Sequence, residues 1–378
     1  MRISPDLRNL EMLKVIRNSF LFAALAGLAS VSSAQWTGVL IHPGGDYSYA
    51  NGASTGIAVG GSGAPSAAGY WTNSGATYTS LYNPSLTLAR LNAGDLNMQV
   101  GYSTSPSLGH ACRWFGTAAS YEDMNPDRFS FSEARTMHGN KMGGYGYYAG
   151  GDGAPKPLLW NGGDRNDFTD LLPADADQGS VYAMDATTQV GASNLIGDVN
   201  SRAGMWSGTA ASWKSLAPVG SVRSWAFATA GGRQGGQVLM PEDYGHAYLW
   251  SGTAESGIDL NPVGNISSVV NGMSANYQVG RTLATNEGPY NSRAAIWSGS
   301  SNSWVDLHSF LPASSITSEA TSVVEYADHI EVYGFIKNGG MATDPIAVMW
   351  TQPVPEPGSV LAVVIGLAGL ARLRRKSK

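Results

Sequence analysis

The sequence predicts an all-β protein built from seven copies of one repeat. Of 378 residues, 48 are Gly and 11 are Trp, whereas charged residues make up only 13%. This composition favours short strands joined by tight turns over helices. In addition, a tryptophan closes a short apolar segment seven times, at intervals of 43, 46, 46, 44, 47 and 53 residues. Such intervals are typical of four-stranded propeller blades. The seven are Trp71, Trp114, Trp160, Trp206, Trp250, Trp297 and Trp350.

Each repeat offers four short β segments around its tryptophan. In five repeats a Gly follows two residues later, as Gly116 does after Trp114, and its tolerance of positive φ predicts a hairpin turn. The next strand ends in an Asp-Leu-x-Pro-like stop, as in Asp259–Pro262. Two segments precede the tryptophan strand, a Ser-Val-x-x-Met type and a Gln-Val-Gly type. In the fifth repeat the second type is placed at Gln237–Leu239.

The two ends of the repeat array predict how the ring closes. After Trp350 no fourth strand follows, whereas residues Trp36–Pro43 resemble a fourth strand without a blade. If this N-terminal strand completes the last blade, no sheet edge stays exposed. The prediction is a seven-bladed β-propeller over residues 35–352, from four-stranded repeats of ~46 residues. A solenoid or a pair of β-sandwiches is the alternative.

The repeat units resemble HAF-type extracellular repeats. In that family a His-Ala-x-x-Trp strand is followed by a Gly turn, an Asp-Leu and a later Gln-Val-x-Gly. Residues His246–Trp250, Asp259-Leu260 and Gln278–Gly280 match this order best. The first position is His only at 110 and 246, and Lys or Arg stands there in three other repeats.

The N-terminus predicts export. Lys14 and Arg17 precede an apolar run, and small residues ending at Ala34 provide a cleavage site before Gln35. Residues 1–34 are therefore interpreted as a signal peptide, with Met1 or Met12 as the true start. The run is too short for a membrane anchor.

The C-terminal segment, residues 353–378, carries a second signal. Pro355, Glu356 and Pro357 precede an apolar stretch, Ser359–Ala371, predicted to form a short helix that reaches only about two thirds of a hydrocarbon core of ~30 Å. The basic end predicts contact with the cytoplasmic side of the inner membrane. Its arginines are Arg372, Arg374 and Arg375.

This tail resembles the PEP-CTERM sorting signal. The resemblance covers about the last 25 residues, from the Pro-Glu-Pro to the basic end. It implies recognition and removal of the tail by an exosortase-type enzyme after transient contact with the inner membrane. It also implies a Gram-negative host that exports extracellular polysaccharide.

Charge and cysteine content exclude some classes of function. Residues 35–357 carry 14 Lys and Arg against 26 Asp and Glu, a net charge of −12. An acidic body disfavours phosphate backbones, so nucleic acid is excluded as an expected partner. Cys112 is the only cysteine, so an internal disulfide is impossible. We interpret it as a small buried apolar residue.

Few residues stand out as candidate sites. Ten of the eleven tryptophans occupy repeat positions, leaving Trp225 as a possible ligand platform at the channel mouth. Asp175, Asp177 and the upstream Asp170 have spacing suited to Ca²⁺, but an acidic surface turn is the preferred interpretation. No cofactor is otherwise expected. The sequence contains no G-x-S-x-G, H-E-x-x-H, C-x-x-C or P-loop motif.

The sequence favours an exported, non-enzymatic protein of the cell envelope or extracellular matrix that binds or scaffolds, plausibly on extracellular polysaccharide. The alternative is an exported carbohydrate-active hydrolase or lyase with its site at the propeller channel. Propellers host both classes, so the fold does not decide between them.

Overall fold

The computed structural model is a seven-bladed β-propeller, as predicted. Seven antiparallel sheets of four strands each make up the blades. The chain divides into two compact units. The larger, residues 37–326 and 331–351, holds nearly all of the strand residues. The described part of the smaller unit is residues 35–36, 327–330 and 352–354. The structure describes residues 35–63, 67–104, 109–241, 244–284, 291–338 and 344–354.

The first strand along the chain, β1, is Thr37–Leu40, and the blades follow in sequence order. Blade 1 comprises β2 (Ser48–Ser54), β3 (Ile57–Ser62), β4 (Ala67–Thr72) and β5 (Thr77–Ser80). Blade 2 comprises β6 (Leu88–Gly94), β7 (Gln99–Thr104), β8 (Gly109–Trp114) and β9 (Glu122–Asp123). Blade 3 comprises β10 (Phe129–His138), β11 (Lys141–Tyr148), β12 (Lys156–Trp160) and β13 (Phe168–Asp170). Blade 4 comprises β14 (Ala176–Met184), β15 (Gln189–Leu195), β16 (Arg202–Trp206) and β17 (Lys214–Ser215).

The remaining blades repeat the order. Blade 5 comprises β18 (Arg223–Ala230), β19 (Arg233–Leu239), β20 (His246–Trp250) and β21 (Ile258–Asp259). Blade 6 comprises β22 (Asn265–Met273), β23 (Gln278–Ala284), β24 (Arg293–Trp297) and β25 (Val305–Asp306). Blade 7 comprises β26 (Thr317–Glu325), β27 (His329–Lys337), β28 (Ile346–Pro353) and β1. Short 3₁₀ turns lie at Ala118–Ser120, Ala210–Ser212, Ala254–Ser256, Ser301–Ser303 and Leu307–Phe310.

The ring closes through the N-terminal strand, which confirms the prediction. Strand β1 pairs antiparallel with β28, with Thr37 opposite Thr351 and their hydroxyl oxygens 2.8 Å apart. Within and after this strand the apolar side chains differ in burial. Val39 is 53% exposed, whereas Ile41 is buried and its carbonyl accepts a 2.7 Å hydrogen bond from the Trp71 indole N–H. Blade 7 is therefore also fastened to blade 1.

The core lies between neighbouring blades. All seven repeat tryptophans are at most 1% exposed. Trp114 of blade 2, for example, packs with Ile57 and Val59 of blade 1. Trp213 and Trp304 are partly buried and pack against such clusters, as predicted for their positions.

The Gln of the Gln-Val-Gly segment supports the turn after the tryptophan. In blade 2 the Gln99 side-chain oxygen accepts a 2.9 Å hydrogen bond from the Gly116 backbone N–H, and three other blades repeat this bond. In blade 5 the acceptor is Gln234, which lies opposite Trp250. The sequence-based placement of this segment at Gln237 was therefore wrong by three residues.

The His-Ala-x-x-Trp strand uses its first two residues in different ways. His246 Nδ1 lies 2.8 Å from an Asp259 carboxylate oxygen, and Arg293 pairs with Asp306 in the same manner. The following Ala donates its backbone N–H to a serine hydroxyl of the next blade, as Ala247 does to Ser268 at 2.9 Å. The repeat therefore encodes both closure within a blade and a bond between blades.

A β-bulge interrupts the innermost strand of each of blades 1 to 6. The pairing between the first two strands shifts by one residue there, at Arg135 in β10 and at Tyr182 in β14, for example. A bulge bends a strand and re-aims a side chain. The glycine of the Gln-Val-Gly segment lies against this strand. A Cβ on Gly191 would overlap the Ser180 carbonyl oxygen, and the equivalent glycine of every blade is equally restricted.

Antiparallel pairing places the chain ends together. The hairpins between first and second strands and the turns after the tryptophans lie at one end of the propeller, here called the hairpin end. The connections from one blade to the next lie at the opposite end. Because Thr37 begins the fourth strand of blade 7 and Pro353 ends its third strand, the chain enters and leaves at the hairpin end.

Within the described ranges, no helix is long and apolar enough to cross a membrane. The expected signal peptide, its cleavage site after Ala34, and the C-terminal helix with its Pro-Glu-Pro and arginines lie outside the described residues.

Removing the closing strand should destabilise the ring. Deletion of residues 35–44 exposes the edge of β28, uncovers Trp71 and removes the buried Ile41. Since burial of one large side chain is worth ~1.5–3 kcal/mol, we expect a loss of several kcal/mol, measured by thermal or urea unfolding. Truncation after Pro353 serves as the control and should cost little. Equal stability of the two truncated proteins would contradict closure by β1.

Substitution of two glycines should separate close approach from turn conformation. Gly191→Ala places a methyl group against the Ser180 carbonyl, so we expect a cost above ~3 kcal/mol. Gly197→Ala is the matched control, because Gly197 has φ +81° but open space around it. Its cost should be the ~1–2 kcal/mol of a left-handed conformation. Urea unfolding of both variants measures the two losses of stability. Similar losses would contradict a steric role for the contact between Gly191 and the Ser180 carbonyl.

Candidate ligand-binding site in the central channel

The innermost strands of all seven blades enclose a cavity of about 660 Å³ in the central channel. This lies within the range of sites that hold small ligands, roughly 300–1,000 Å³. Each blade contributes one residue at the level of the bulges, which we call the bulge ring. The ring consists of Asn51, Asn92, Arg135, Tyr182, Phe227, Asn271 and Thr321. Besides the bulge ring, the lining of the cavity includes Arg90, Tyr102, Phe131, Glu133, Tyr145 and Glu319.

Four members of the bulge ring fasten neighbouring blades together. Each donates from its side chain to the backbone carbonyl that precedes the ring residue of the next blade. The bonds are Asn271 to Ala320 at 3.0 Å, Thr321 to Ala50 at 2.8 Å, Asn51 to Leu91 at 2.7 Å and Asn92 to Ala134 at 2.9 Å. These polar side chains are therefore committed to holding blades 6, 7, 1, 2 and 3 in a ring.

The other three ring members, on blades 3 to 5, depart from this pattern. Together with Tyr145 of blade 3 they form an aromatic arc. The Arg135 guanidinium carbon lies 5.0 Å from the ring centre of Tyr145 and 5.1 Å from that of Tyr182. The rings of Tyr182 and Phe227 are 5.2 Å apart. We call Arg135, Tyr145, Tyr182 and Phe227 the aromatic arc. Aromatic rings beside a guanidinium present apolar faces and N–H donors together, a combination suited to sugar rings.

Two carboxylates line the cavity, and both are engaged by the protein. Glu133 accepts from the Asn92 amide at 3.0 Å and from the Tyr145 hydroxyl at 2.9 Å. Glu319 accepts from the Asn271 amide at 2.8 Å and from Arg281 at 2.9 Å. The carboxylates therefore orient the amides and the phenol around them.

Burial fixes the protonation of the arc. It raises the pKa of the Tyr145 hydroxyl, with the Glu133 charge adding to the effect. Burial also raises the pKa of Tyr182, although Arg135 opposes the shift. For Arg135, burial lowers the pKa of the guanidinium, but Glu133 and the two tyrosines outweigh it, so the net shift is upward. At neutral pH the arc therefore consists of neutral phenols around a permanent cation.

Trp225, the tryptophan outside the repeat positions, lies in the innermost strand of blade 5. It stands two residues before Phe227, the position that Glu133 occupies relative to Arg135 in blade 3. Its ring is parallel to that of Phe227 within 7°, with centres 6.5 Å apart. The structure thus places Trp225 next to the aromatic arc.

Sequence reasoning missed Arg135, Tyr182 and Phe227. A signal was present, because Arg135, Tyr182 and Asn271 all stand two residues before the methionine that ends the innermost-strand segment. Aligning these three repeats on the methionine brings Arg135, Tyr182 and Asn271 into one column, whereas the repeat that contains Phe227 has no methionine at that position.

The three weak metal candidates are not gathered into a site. Asp170 accepts from the Tyr148 hydroxyl at 2.9 Å and from the Leu172 backbone N–H. The Asp177 carbonyl accepts from Lys156 at 2.6 Å, and the Asp175 carbonyl from the Ile196 backbone N–H. No group of three His, Cys, Asp or Glu residues in the described part of the chain is placed to hold a metal ion.

Cys112 and the repeat histidines have structural surroundings. Cys112 is fully buried in the cluster with Trp114, and burial raises the pKa of its thiol, which keeps it protonated. His110 pairs with Asp123 at 2.9 Å, as His246 does with Asp259. The cavity lining includes no histidine among the described residues.

No protein-family model matches the chain, and no curated protein matches its sequence. Solved structures with a similar fold do exist. The β-propeller domain of the Trilobed protease from Pyrococcus furiosus, which has an open velcro topology, is 9% identical with a TM-score of 0.50 over 80% of this chain and 93% of that one. Acylaminoacyl peptidase from Pyrococcus horikoshii is 8% identical with a TM-score of 0.50, over 83% of this chain and 53% of that one.

At this identity the likeness extends to the fold alone. The chain spans about half the length of the peptidase, since 53% of that protein is covered. Ring closure differs from the open velcro topology of the protease domain, because β1 here pairs with β28 within blade 7.

Proposed function

We propose that this protein is an exported, non-enzymatic binding protein of the cell envelope or extracellular matrix that holds polysaccharide in its central channel. The observation that carries the proposal is the aromatic arc, since it departs from the blade-fastening pattern kept by the other four ring members. Three adjacent blades thus present side chains that the ring does not use for its own closure. Stacking of sugar rings on such side chains suits a saccharide ligand.

The terminal segments support the cellular part of the proposal. The signal-peptide-like N-terminus directs export, and the tail that resembles a PEP-CTERM signal directs processing by an exosortase-type enzyme after transient contact with the inner membrane. Both segments join the propeller at its hairpin end, where Thr37 pairs with Thr351.

A carbohydrate-active hydrolase or lyase is the second candidate. Glu133 and the Tyr145 hydroxyl, 2.9 Å apart in the cavity, are groups capable of acid–base chemistry, and they favour this candidate. Binding is preferred because each carboxylate oxygen of Glu133 already accepts a hydrogen bond from the protein. Release of reducing ends from a polysaccharide, lost in Glu133→Gln, would establish catalysis instead.

Replacing the apolar end of the arc should weaken binding of the host's own extracellular polysaccharide. We expect Phe227→Ala to lower affinity by about tenfold, since a stacked ring contributes of the order of 1 kcal/mol beyond its buried area. Phe115→Ala is the control, because Phe115 is an exposed Phe in a turn after Trp114, outside the cavity lining. Biolayer interferometry on immobilised polysaccharide measures both. Equal binding by the two variants and the unchanged protein, or no binding at all, would overturn the channel site.

Processing should remove both ends. Intact-mass analysis of protein from its native host should give a chain that begins near Gln35 and ends near Pro357. In a host without an exosortase, the tail should remain and associate weakly with membrane. A surface form in the native host that retains Arg372–Lys378 would contradict processing.

A further inference from the structure

The cavity carries more unused donors for an anion than acceptors for a cation. Both oxygens of Glu133 are occupied, one by the Asn92 amide and one by the Tyr145 hydroxyl. Both oxygens of Glu319 are likewise occupied, one by the Asn271 amide and one by Arg281. Each of the four carboxylate oxygens therefore already accepts a hydrogen bond from the protein.

The guanidinium groups are in the opposite situation. Arg90 has no carboxylate partner within the described part of the chain, and its guanidinium carbon lies 5.4 Å from the ring centre of Tyr49. Arg135 approaches Glu133 only at 3.5 Å, and its buried Nε has no hydrogen-bond partner. A guanidinium carries five N–H donors in a planar fork, and a buried donor without a partner is destabilising. A bound anion that accepts from these groups would remove that cost.

The charged residues of the lining are two arginines and two glutamates. Arg135 stands beside Glu133, whereas Glu319 pairs with Arg281 from outside the lining, which leaves Arg90 as the arginine of the lining without a carboxylate partner among the described residues. The chain as a whole has a net charge of −5. An acidic protein with an arginine in its channel that no carboxylate neutralises repels anions over its surface in general and can accept them at that one place.

We propose that the channel selects acidic sugars, with the carboxylate of a uronic acid held by Arg90 and Arg135 and the sugar ring stacked on Tyr182 and Phe227. This inference rests on the proposed function and names its ligand class. A carboxylate matches the planar fork of a guanidinium. Tyr182 and Phe227 supply the apolar face against which the sugar ring packs. Tyr145 is held in place by its hydrogen bond to Glu133 and lies beside Arg135.

The test compares acids with their neutral esters. Tetrasaccharides of mannuronic, guluronic, glucuronic and galacturonic acid, each with its methyl ester, are titrated by calorimetry into the protein isolated from its host. The ester keeps the sugar framework and removes the charge. We expect at least one acid to bind at least tenfold more tightly than its ester, and its affinity to fall as NaCl rises from about 20 to 500 mM. Equal affinity for acid and ester would overturn the inference without any variant.

Two arginine variants locate the interaction. Arg90→Gln should lower the affinity for the acid at least tenfold and leave the ester unchanged, and the fold should persist because no carboxylate loses its partner. Arg165→Gln removes the same charge from an exposed turn outside the lining and should change neither. An Arg90→Gln protein that still prefers the acid as strongly as before would overturn the assignment of Arg90.

The outcomes separate this inference from the proposed function. If acid and ester bind equally and Phe227→Ala abolishes both, polysaccharide binding in the channel stands and selection of acidic sugars fails. If neither the tetrasaccharides nor the host polysaccharide binds, both proposals fail.

Discussion

The contact between a glycine and a carbonyl oxygen inside each blade governs the rest of the molecule. The glycine of the Gln-Val-Gly segment lets the second strand lie so close to the innermost strand that no side chain fits between them. In blades 1 to 6 the innermost strand bulges next to this contact, and the bulge turns one side chain of each toward the axis. A residue type selected for its small size therefore determines where a channel-lining residue can stand.

The repeated residues hold the blades together, which we call the frame, and the residues that depart from the repeat form the candidate binding site. Asn and Thr side chains in the bulge ring each bond to the next blade, as Asn51 does to the Leu91 carbonyl. Where Arg135, Tyr182 and Phe227 replace them, that bond is absent from the described contacts and the blades rely on packing of the rings and of buried tryptophans. Between blades 4 and 5 and between blades 5 and 6, the alanine-to-serine bonds Ala203 to Ser224 and Ala247 to Ser268 still hold the blades together further from the axis.

Local pattern was enough to predict the frame. The tryptophan spacing, the glycine turns and the unassigned strand at Trp36–Pro43 are each visible in short stretches of the sequence. The number of blades and the closure of the ring could therefore be predicted from them. The channel did not follow, because its members come from strands about 40 to 50 residues apart and meet only through the ring. Gln234 was misplaced for a related reason, since Gln237 fits the local motif while the hydrogen bond to Gly252 depends on pairing with Trp250. Trp225 was singled out correctly as lying outside the repeat, but its neighbours could not be named.

Closure of blade 7 by β1 also determines how the protein would bear a pull. The chain leaves the propeller from β28, a strand with hydrogen-bonded neighbours on both sides, β27 and β1. Tension on the C-terminal segment therefore acts along a strand that is held by two ladders at once and must shear both together, whereas a strand at a sheet edge peels away one bond at a time. A pull on the C-terminal end of β28 would therefore load a strand held from both sides, and the N-terminal strand β1 supplies one of the two ladders that resist it.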